Sequence, residues 1–235
     1  MIRAIRRTSR REHSMAQPLN PGQTILFIGD SITDAGRRED PEGLGFGYVR
    51  LFHDLLHARH PRCGVRVVNR GIGGDTIRHL DARWEADVVA ERPDVLSVSI
   101  GVNDVWRQLQ QPENPESVYI EEYEGTFRRL LDRVRDAVGC RLLLLEPTII
   151  GEAPDAPHNE LMPPYLDCVA RLAADYGATL APLNRRFHEA IAAAGSMLWT
   201  TDGVHPLSNG HMLMALGVVE ALGGLDGCVA AGDAS

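Results

Sequence analysis

From residue 24 onward, short continuous apolar runs alternate with longer segments in which apolar residues recur at helical spacing. Runs such as LLLL after Arg141 are typical of strands that are buried on both faces of a parallel sheet. The longest helical pattern places apolar side chains on one face from Tyr123 to Val138. Five strands are predicted, at Thr24–Ile28, Val65–Asn69, Val95–Ile100, Arg141–Glu146 and Thr179–Pro182.

Helices are predicted in the intervals between these strands. Asn114 and Pro115 suit the cap and the first residue of the helix that contains Tyr123. Strands that alternate with helices form right-handed βαβ units. We therefore predict an α/β fold, a flavodoxin-like three-layer α/β/α sandwich with a central five-stranded parallel sheet. The other helices are predicted at Val49–Arg59, Ile77–Ala90, Pro164–Tyr176, Arg185–Ala193 and Leu207–Leu222.

The distribution of charge divides the chain into a leader, one domain and a tail. Residues 1–20 contain five arginines and one glutamate, whereas the whole chain has a formal net charge of −8. This segment lacks the apolar stretch of about 7 to 15 residues that a secretory signal needs, so we interpret it as a disordered basic leader. Residues 21–223 are predicted to form a single domain, and residues 224–235 a flexible tail.

Composition excludes several classes of partner. The acidic body argues against binding to nucleic acid. No apolar run reaches the roughly 20 residues that cross a bilayer, so no membrane partner is expected. The four cysteines are scattered without a CxxC pair, which indicates reduced thiols and a cytoplasmic location. The sequence leaves open whether the chain is a monomer or a homo-oligomer.

Small and polar residues cluster where the first three strands end. Because the carboxyl ends of parallel strands lie at one edge of a sheet, these clusters are expected to meet there. A fourth cluster, TTDGVHPLSNGH, precedes the last predicted helix. The clusters contain Gly29, Asp30 and Ser31; Gly71, Gly73, Gly74 and Asp75; Gly101, Asn103 and Asp104; and Asp202 and His205.

These residues make up the inventory of an acyl-transfer site. Ser31 is the candidate nucleophile, His205 the candidate base and Asp202 the group that orients the imidazole. The backbone N–H groups of Ser31 and Gly74 and the side-chain amide of Asn103 are candidate donors to an oxyanion. The alternative for Ser31 is a helix cap, because serine is a favoured N-cap residue.

The four clusters, in this order, resemble the four sequence blocks of the SGNH (GDSL) hydrolase family. The resemblance covers roughly residues 24–222 and rests on Gly29-Asp30-Ser31, Gly74, Gly101-Val102-Asn103-Asp104 and Asp202-Gly203-Val204-His205. It implies a nucleophile, a backbone donor, a side-chain donor and an acid–histidine pair, in that order. The GxSxG elbow of α/β-hydrolases is absent, since Thr33 stands where its last glycine would be.

Longer stretches resemble the intracellular bacterial acetyl xylan esterase branch, whose members remove acetyl groups from xylo-oligosaccharides. These stretches are GDSITDAGR, GFGYV, RVVNRGIGGDTIRHLDARWEADV and GVNDVWRQ. The chain departs from the pattern at Gly73, where many relatives have serine. It also places Trp199 three residues before Asp202, whereas some relatives have the tryptophan next to the aspartate.

Further residues near these clusters have two interpretations each. Asp30, Asp75 and Asp104 either brace the loops or, for Asp30 and Asp104, contact substrate. Three other candidate substrate-binding residues are Trp106, Arg107 and Trp199; a tryptophan here can equally pack against the core. His53, His57 and His60 share a helix face, which favours a solvated surface over a metal site because no acidic ligands accompany them.

The sequence therefore predicts a serine esterase that hydrolyses short-chain acetyl esters of carbohydrate, with acetylated xylo-oligosaccharides as the expected substrate. No cofactor or metal is expected. A lysophospholipase, a thioesterase or a general small-ester hydrolase would use the same triad. More distant alternatives are a metal-dependent phosphoesterase built on the aspartates and His205, and a carbohydrate-binding module without turnover.

Overall fold

The computed structural model describes residues 17–110, 115–153 and 155–228. In this part of the chain, five parallel strands form one sheet in the order β2-β1-β3-β4-β5. This order and the flanking helices confirm the predicted α/β, flavodoxin-like class. The strands are β1 (Thr24–Gly29), β2 (Arg66–Gly71), β3 (Val95–Ser99), β4 (Arg141–Leu145) and β5 (Thr179–Ala181).

The inner strands are buried and largely apolar because helices cover both faces of the sheet. Every residue of β3 is buried, and so are the last five residues of β1. Continuous apolar sequence is what a doubly covered strand requires, which explains why these strands are easily recognised. The predicted strand positions agree with the structure to within one or two residues at each end.

Helices occupy every interval between strands, and several are short. The three that periodicity did not predict are α1, α4 and α6, and four or five residues, as in α1 and α6, are too few to show a helical pattern. The helices are α1 (Ser31–Asp34), α2 (Tyr48–Arg59), α3 (Ile77–Trp84), α4 (Val102–Gln110), α5 (Ile120–Ala137), α6 (Pro157–Leu161), α7 (Pro163–Tyr176), α8 (Leu183–Ala194) and α9 (Ser208–Ala221).

Two helix boundaries differ from the prediction by more than two residues. The α3 helix ends at Trp84 and continues as a π-helical turn over Glu85–Val89, whereas a regular helix to Ala90 was predicted. The α5 helix begins at Ile120, so the prediction that Pro115 is its first residue is wrong.

The start of α5 has a physical explanation. The Arg78 guanidinium donates hydrogen bonds to the carbonyl oxygens of Pro115 and Ser117 and pairs with Glu122 in the first turn of α5. These carbonyls therefore bond to a side chain and not to a helical N–H. Asn114, the predicted cap, lies outside the described residues.

The ordered body extends beyond the predicted boundaries at residues 21 and 223. Leu19 is part of the hydrophobic core, and Arg141 donates to the carbonyl oxygens of Gln17 and Pro18. At the other end Cys228 is buried, so residues 224–228 also pack on the domain. Apolar burial holds both segments. The remainder of the predicted leader and tail lies outside the described residues.

The strand register places the candidate site. Gly29 at the end of β1 pairs with Gly71 of β2 and with Ser99 of β3, so the three strands end level. The chain leaves β1 towards β2 on one side and later returns to β3 on the other, which opens a crevice at the carboxyl edge. The described residues include no helix with the length and apolarity that crossing a membrane requires.

A buried asparagine on β2 ties this edge together. Asn69 is 3% exposed, and its amide donates to the carbonyl oxygens of Thr33 (2.7 Å) and Leu44 (2.8 Å). Its side-chain oxygen accepts the N–H of Gly71 at 2.8 Å. One side chain thus joins α1, the loop before α2 and the end of β2.

Replacing Asn69 is expected to destabilise the fold. Asn69→Ala leaves two buried carbonyl groups and one N–H without partners, so we expect a loss of about 2 to 4 kcal/mol in the free energy of unfolding. Urea denaturation at equilibrium measures it. The control is Asn20→Ala, an exposed asparagine, which should stay within about 0.5 kcal/mol of wild type. Equal midpoints for the two variants would contradict the role given to Asn69.

Candidate active site

Ser31 stands at the start of α1, directly after β1, and does not cap the helix. The cap is Asp30, whose Oδ1 accepts the N–H of Ile32 at 3.0 Å. The Ser31 hydroxyl instead lies 2.9 Å from Nε2 of His205. The alternative role of Ser31 as a capping side chain therefore does not apply.

His205 connects Ser31 to Asp202 through its two ring nitrogens. Its Nδ1 lies 2.7 Å from Oδ2 of Asp202, on the side of the ring away from Ser31. The other oxygen of Asp202 accepts the N–H groups of His205 (2.8 Å) and Val204 (3.0 Å). The three side chains thus form a continuous chain of hydrogen bonds from a carboxylate to a hydroxyl, the arrangement that polarises a serine.

The environment of Asp202 keeps its carboxylate ionised. Partial desolvation alone would raise its pKa. The hydrogen bonds from the backbone and ring of His205 and from the N–H of Val204 outweigh that effect and lower the pKa of Asp202 to about 2. Asp202 therefore remains an acceptor for Nδ1–H of His205 near neutral pH.

The loop after β2 brings Gly74 to the same edge of the sheet. Gly74 has a positive φ of 82°, which favours glycine, and its carbonyl oxygen accepts a hydrogen bond of 2.7 Å from Arg107. A Cβ at the neighbouring Gly73 would lie 3.8 Å from Cβ of Ser31, so this loop runs beside the serine. Within the described residues, neither the Gly74 N–H nor the Ser31 N–H has a hydrogen-bond acceptor.

Asn103 reaches this loop from the start of α4. One of its amide hydrogens bonds to the carbonyl oxygen of Asp75 at 2.9 Å, which fixes the plane of the amide. An amide has two N–H donors, so the second stays available to a ligand. The three predicted donor groups therefore lie on the segments that follow β1, β2 and β3.

Arg83 is a structural residue of the site that the sequence pattern does not reveal. Its guanidinium donates to Asp75 Oδ2 (2.8 Å), to the carbonyl oxygen of Arg70 (2.7 Å) and to that of Gly29 (3.1 Å). It therefore cross-links the ends of β1 and β2 to the loop that carries Gly74. Of its partners, only the acidic residues Asp75 and Asp87 leave a trace in the sequence, because backbone acceptors have no residue type.

The other candidate residues are largely committed to protein contacts. Trp106 stacks on His158 with ring centroids 5.0 Å apart, and Arg107 also pairs with Glu116 at 3.0 Å. Trp199 is partly buried against the core. Asp30 and Asp104, at 2% and 0% exposure, are closed to solvent. Of these five, Arg107 and the two aspartates thus brace the framework, and the tryptophans pack at its margin.

His53 and His57 lie on α2, and His60 is its C-cap residue. His53 and His57 stack with ring centroids 4.2 Å apart, and His57 Nδ1 bonds to the carbonyl oxygen of His53. No group of three or more histidine, cysteine, aspartate or glutamate side chains among the described residues is arranged to hold a metal ion.

Two known proteins are similar to this chain in sequence. An acetylxylan esterase of Geobacillus stearothermophilus is 40% identical over 211 residues, which cover 87% of this chain and 96% of that protein. Esterase TesA of Pseudomonas aeruginosa is 28% identical over 190 residues, covering 78% of this chain and 80% of the relative.

The structural neighbours include the same Geobacillus esterase. A solved catalytic mutant of it, with a serine replaced by alanine, has a TM-score of 0.82 at 36% identity and covers 92% of this chain and 100% of its own. Other solved catalytic mutants of that enzyme replace an aspartate and a histidine three positions apart. The family model described as GDSL-like Lipase/Acylhydrolase matches residues 27–213. The chain belongs to this GDSL-like lipase/acylhydrolase family.

Proposed function

We propose that the protein is a serine esterase that removes acetyl groups from acetylated xylo-oligosaccharides through an acyl-enzyme on Ser31. The observation that carries this proposal is the hydrogen-bonded chain from Asp202 through His205 to the Ser31 hydroxyl, with distances of 2.7 and 2.9 Å. The 40% identity to an acetylxylan esterase supports the choice of ester. Catalytic mutants of that relative at a serine, an aspartate and a histidine support the three roles.

The first half-reaction forms the acyl-enzyme. Ser31 Oγ attacks the acetyl carbonyl carbon while His205 Nε2 takes the hydroxyl proton, and the carbonyl electron pair moves onto its oxygen. Asp202 stabilises the imidazolium that results. The bond to the sugar oxygen then breaks, and His205 gives the proton to that oxygen. A deacetylated sugar leaves, and the acetyl group stays on Ser31.

The second half-reaction regenerates the enzyme. Water attacks the acetyl carbonyl of the acyl-enzyme as His205 removes one of its protons. The bond to Ser31 Oγ breaks, the proton returns to that oxygen, and acetate leaves. The same imidazole serves as base and acid in turn, so the cycle balances without a cofactor.

In both half-reactions negative charge gathers on the former carbonyl oxygen. The N–H groups of Ser31 and Gly74 and the second amide N–H of Asn103 are the donors we assign to it. The Gly74 loop and the Asn103 amide are held in advance, because Arg107 donates to the Gly74 carbonyl and the Asn103 amide donates to the Asp75 carbonyl. Donors that are oriented before the reaction need no reorganisation when the charge develops.

A broader esterase is the second candidate function. The similarity to Esterase TesA favours it, because that relative matches at 28% identity over 78% of this chain. The same triad would then act on small esters, thioesters or lysophospholipids, and acyl-chain length separates these substrates from acetylated sugars.

The more distant alternatives receive less support. The carboxylates that a metal-dependent phosphoesterase would need are already engaged, since Asp30 and Asp104 accept backbone N–H groups and Asp75 pairs with Arg83. A binding module without turnover has no need for a hydroxyl aligned with His205.

All four cysteines are free thiols, which supports the proposed cytoplasmic location. The absence of a nucleic-acid partner stays a prediction.

Burial makes the carboxyl groups of Asp30 and Asp104 weaker acids than usual. Asp104 accepts the N–H of Ile77 at 3.1 Å through Oδ1, whereas its buried Oδ2 has no partner among the described residues. The N–H groups of Ile32 and Ile77 donate to these carboxyl groups and lower their pKa values. Desolvation outweighs this effect and raises the pKa of both carboxyl groups to about 7. Both groups therefore bind protons more tightly in the folded state than in the unfolded state.

Acetate release separates these functions. We expect the wild type to release acetate from acetylated xylo-oligosaccharides and from p-nitrophenyl acetate, and Ser31→Ala to lose at least about 10³-fold in kcat because the nucleophile is gone. Slower turnover of the butyrate ester is expected as well. Activity on aryl esters alone would favour the broader esterase. A fully active Ser31→Ala protein would refute the mechanism.

Loss of the Asn103 amide is expected to slow the chemical step. For Asn103→Ala we expect kcat on p-nitrophenyl acetate to fall about 100- to 1,000-fold with KM within about 3-fold of wild type, because the donor acts on transition-state charge. Steady-state kinetics measure both constants, and circular dichroism checks the fold. Asn20→Ala is the control and should match wild type. An unchanged kcat would remove Asn103 from the oxyanion site.

The pKa of Asp104 predicts a pH-dependent effect on stability. Between about pH 4 and pH 7 the unfolded chain loses this proton while the folded protein keeps it, so stability falls as pH rises. Asp104→Asn lacks this loss, and its stability relative to wild type should increase across that range. Urea unfolding from pH 4.5 to pH 8 measures the difference. The exposed control Asp167→Asn should run parallel to wild type, and a parallel Asp104→Asn curve would contradict the prediction.

A further inference from the structure

The loop that carries Asp202 and His205 needs support from outside itself. Both side chains are about half exposed, at 50% and 48%, so close packing does not hold them. Within the loop, Thr201 N–H bonds to the carbonyl oxygen of His205 and Leu207 N–H to that of Trp199, both at 2.8 Å. These bonds shape the loop but do not fix its position relative to Ser31.

Glu152 supplies an external contact at the base of this loop. One of its carboxylate oxygens accepts three hydrogen bonds, from the N–H of Trp199 (2.8 Å), the N–H of Thr200 (2.6 Å) and the Thr200 hydroxyl (2.6 Å). The Thr200 hydroxyl oxygen in turn accepts the N–H of Gly203 at 3.1 Å. A path of hydrogen bonds thus leads from Glu152 to the turn between Asp202 and His205.

The segment that carries Glu152 is anchored to the body. Asn159 on α6 accepts the N–H of Ile150 at 3.0 Å and donates to the carbonyl oxygen of Gly151 at 2.9 Å. The same segment also contacts the loop through its backbone, since the N–H of Gly151 bonds to the carbonyl oxygen of Gly203 at 2.6 Å. Glu152 therefore belongs to a fixed segment and holds the loop in place against that segment.

Charge strengthens this contact. Desolvation would raise the pKa of Glu152, but the hydrogen bonds from Thr200 and Trp199 outweigh it and lower the pKa below its ordinary value. The carboxylate is thus ionised near neutral pH, and hydrogen bonds to an ionised acceptor are roughly twice as strong as those between neutral groups.

We infer that Glu152 is a positioning residue that holds the Asp202–His205 loop in register with Ser31. This inference rests on the proposed function, because the register matters for turnover only if His205 transfers the proton of Ser31. A displacement of about 1 Å between such groups can cost about 100-fold in rate. Since Glu152 touches the loop and not the oxyanion donors, its loss should affect kcat far more than KM.

The test compares three variants on p-nitrophenyl acetate. For Glu152→Ala we expect kcat to fall about 10- to 100-fold with KM within about 3-fold of wild type. Glu152→Gln keeps an oxygen acceptor of the same shape and should recover most of the loss, to within about 5-fold of wild type. Glu160→Ala, an exposed glutamate on α6, is the matched control and should be unchanged.

Two further measurements distinguish positioning from a general loss of structure. Added formate, a small carboxylate that can enter the space left by Glu152→Ala, should raise the activity of that variant and leave Glu160→Ala unaffected. The melting temperature of Glu152→Gln should lie between those of Glu152→Ala and wild type, because a neutral acceptor replaces an ionised one. An equal loss of kcat in the alanine and glutamine variants, without rescue by formate, would overturn the inference.

Parallel assays of Ser31→Ala keep the inference separate from the proposed function. If Ser31→Ala is inactive and Glu152→Ala turns over like wild type, the positioning role is wrong and the serine mechanism stands. If Ser31→Ala keeps full activity, the mechanism itself fails, whatever the Glu152 variants do. Loss of activity in Ser31→Ala, together with the kcat effect and its recovery in Glu152→Gln, supports both.

Discussion

The site depends on one constraint, the level register of three parallel strands. Gly29, Gly71 and Ser99 are paired across β2, β1 and β3, so the segments that follow them start at the same height. A shift of this register would carry Ser31 away from Gly74 and Asn103 even if every loop kept its shape. Backbone hydrogen bonds between paired strands give a rigid support for such an arrangement.

A network of side-chain hydrogen bonds holds the segments that follow these strands in fixed positions. Arg83 bonds to the ends of β1 and β2, Asn69 joins β2 to α1, and Arg107 holds the Gly74 carbonyl. Most of these bonds end on backbone carbonyls, which cannot be lost by substitution of the acceptor residue. The buried carboxyl groups of Asp30 and Asp104 belong to the same network, since each accepts a hydrogen bond from the N–H of a residue in the first turn of a helix. The desolvation of these two carboxyl groups lowers the stability of the fold, but their hydrogen bonds hold the helix starts next to the serine rigidly in place.

Local patterns along the chain predict much of the molecule. Continuous apolar runs locate the strands, and the residue types at the strand ends and before the last helix indicate that Ser31, Asn103 and His205 meet at one edge. Contacts that join distant segments leave no such pattern. Glu152 meets Thr200 across 48 positions, and Arg83 meets Gly29 across 54, with backbone groups as the main partners. The start of α5 escapes prediction for the same reason, because Arg78 acts on it from 37 residues away.

The distance of 174 positions between Ser31 and His205 bears on how the molecule comes into being. All five strands are complete by Ala181, so the whole sheet, with the serine at its edge, can assemble while the histidine has yet to be synthesised. Only the loop before α9 completes the chain of hydrogen bonds, and α9 then packs against α2 near the other end of the sequence. A ribosome-bound chain that ends before this loop lacks the histidine partner of Ser31, so the serine acquires that partner only after every strand of the sheet has been synthesised.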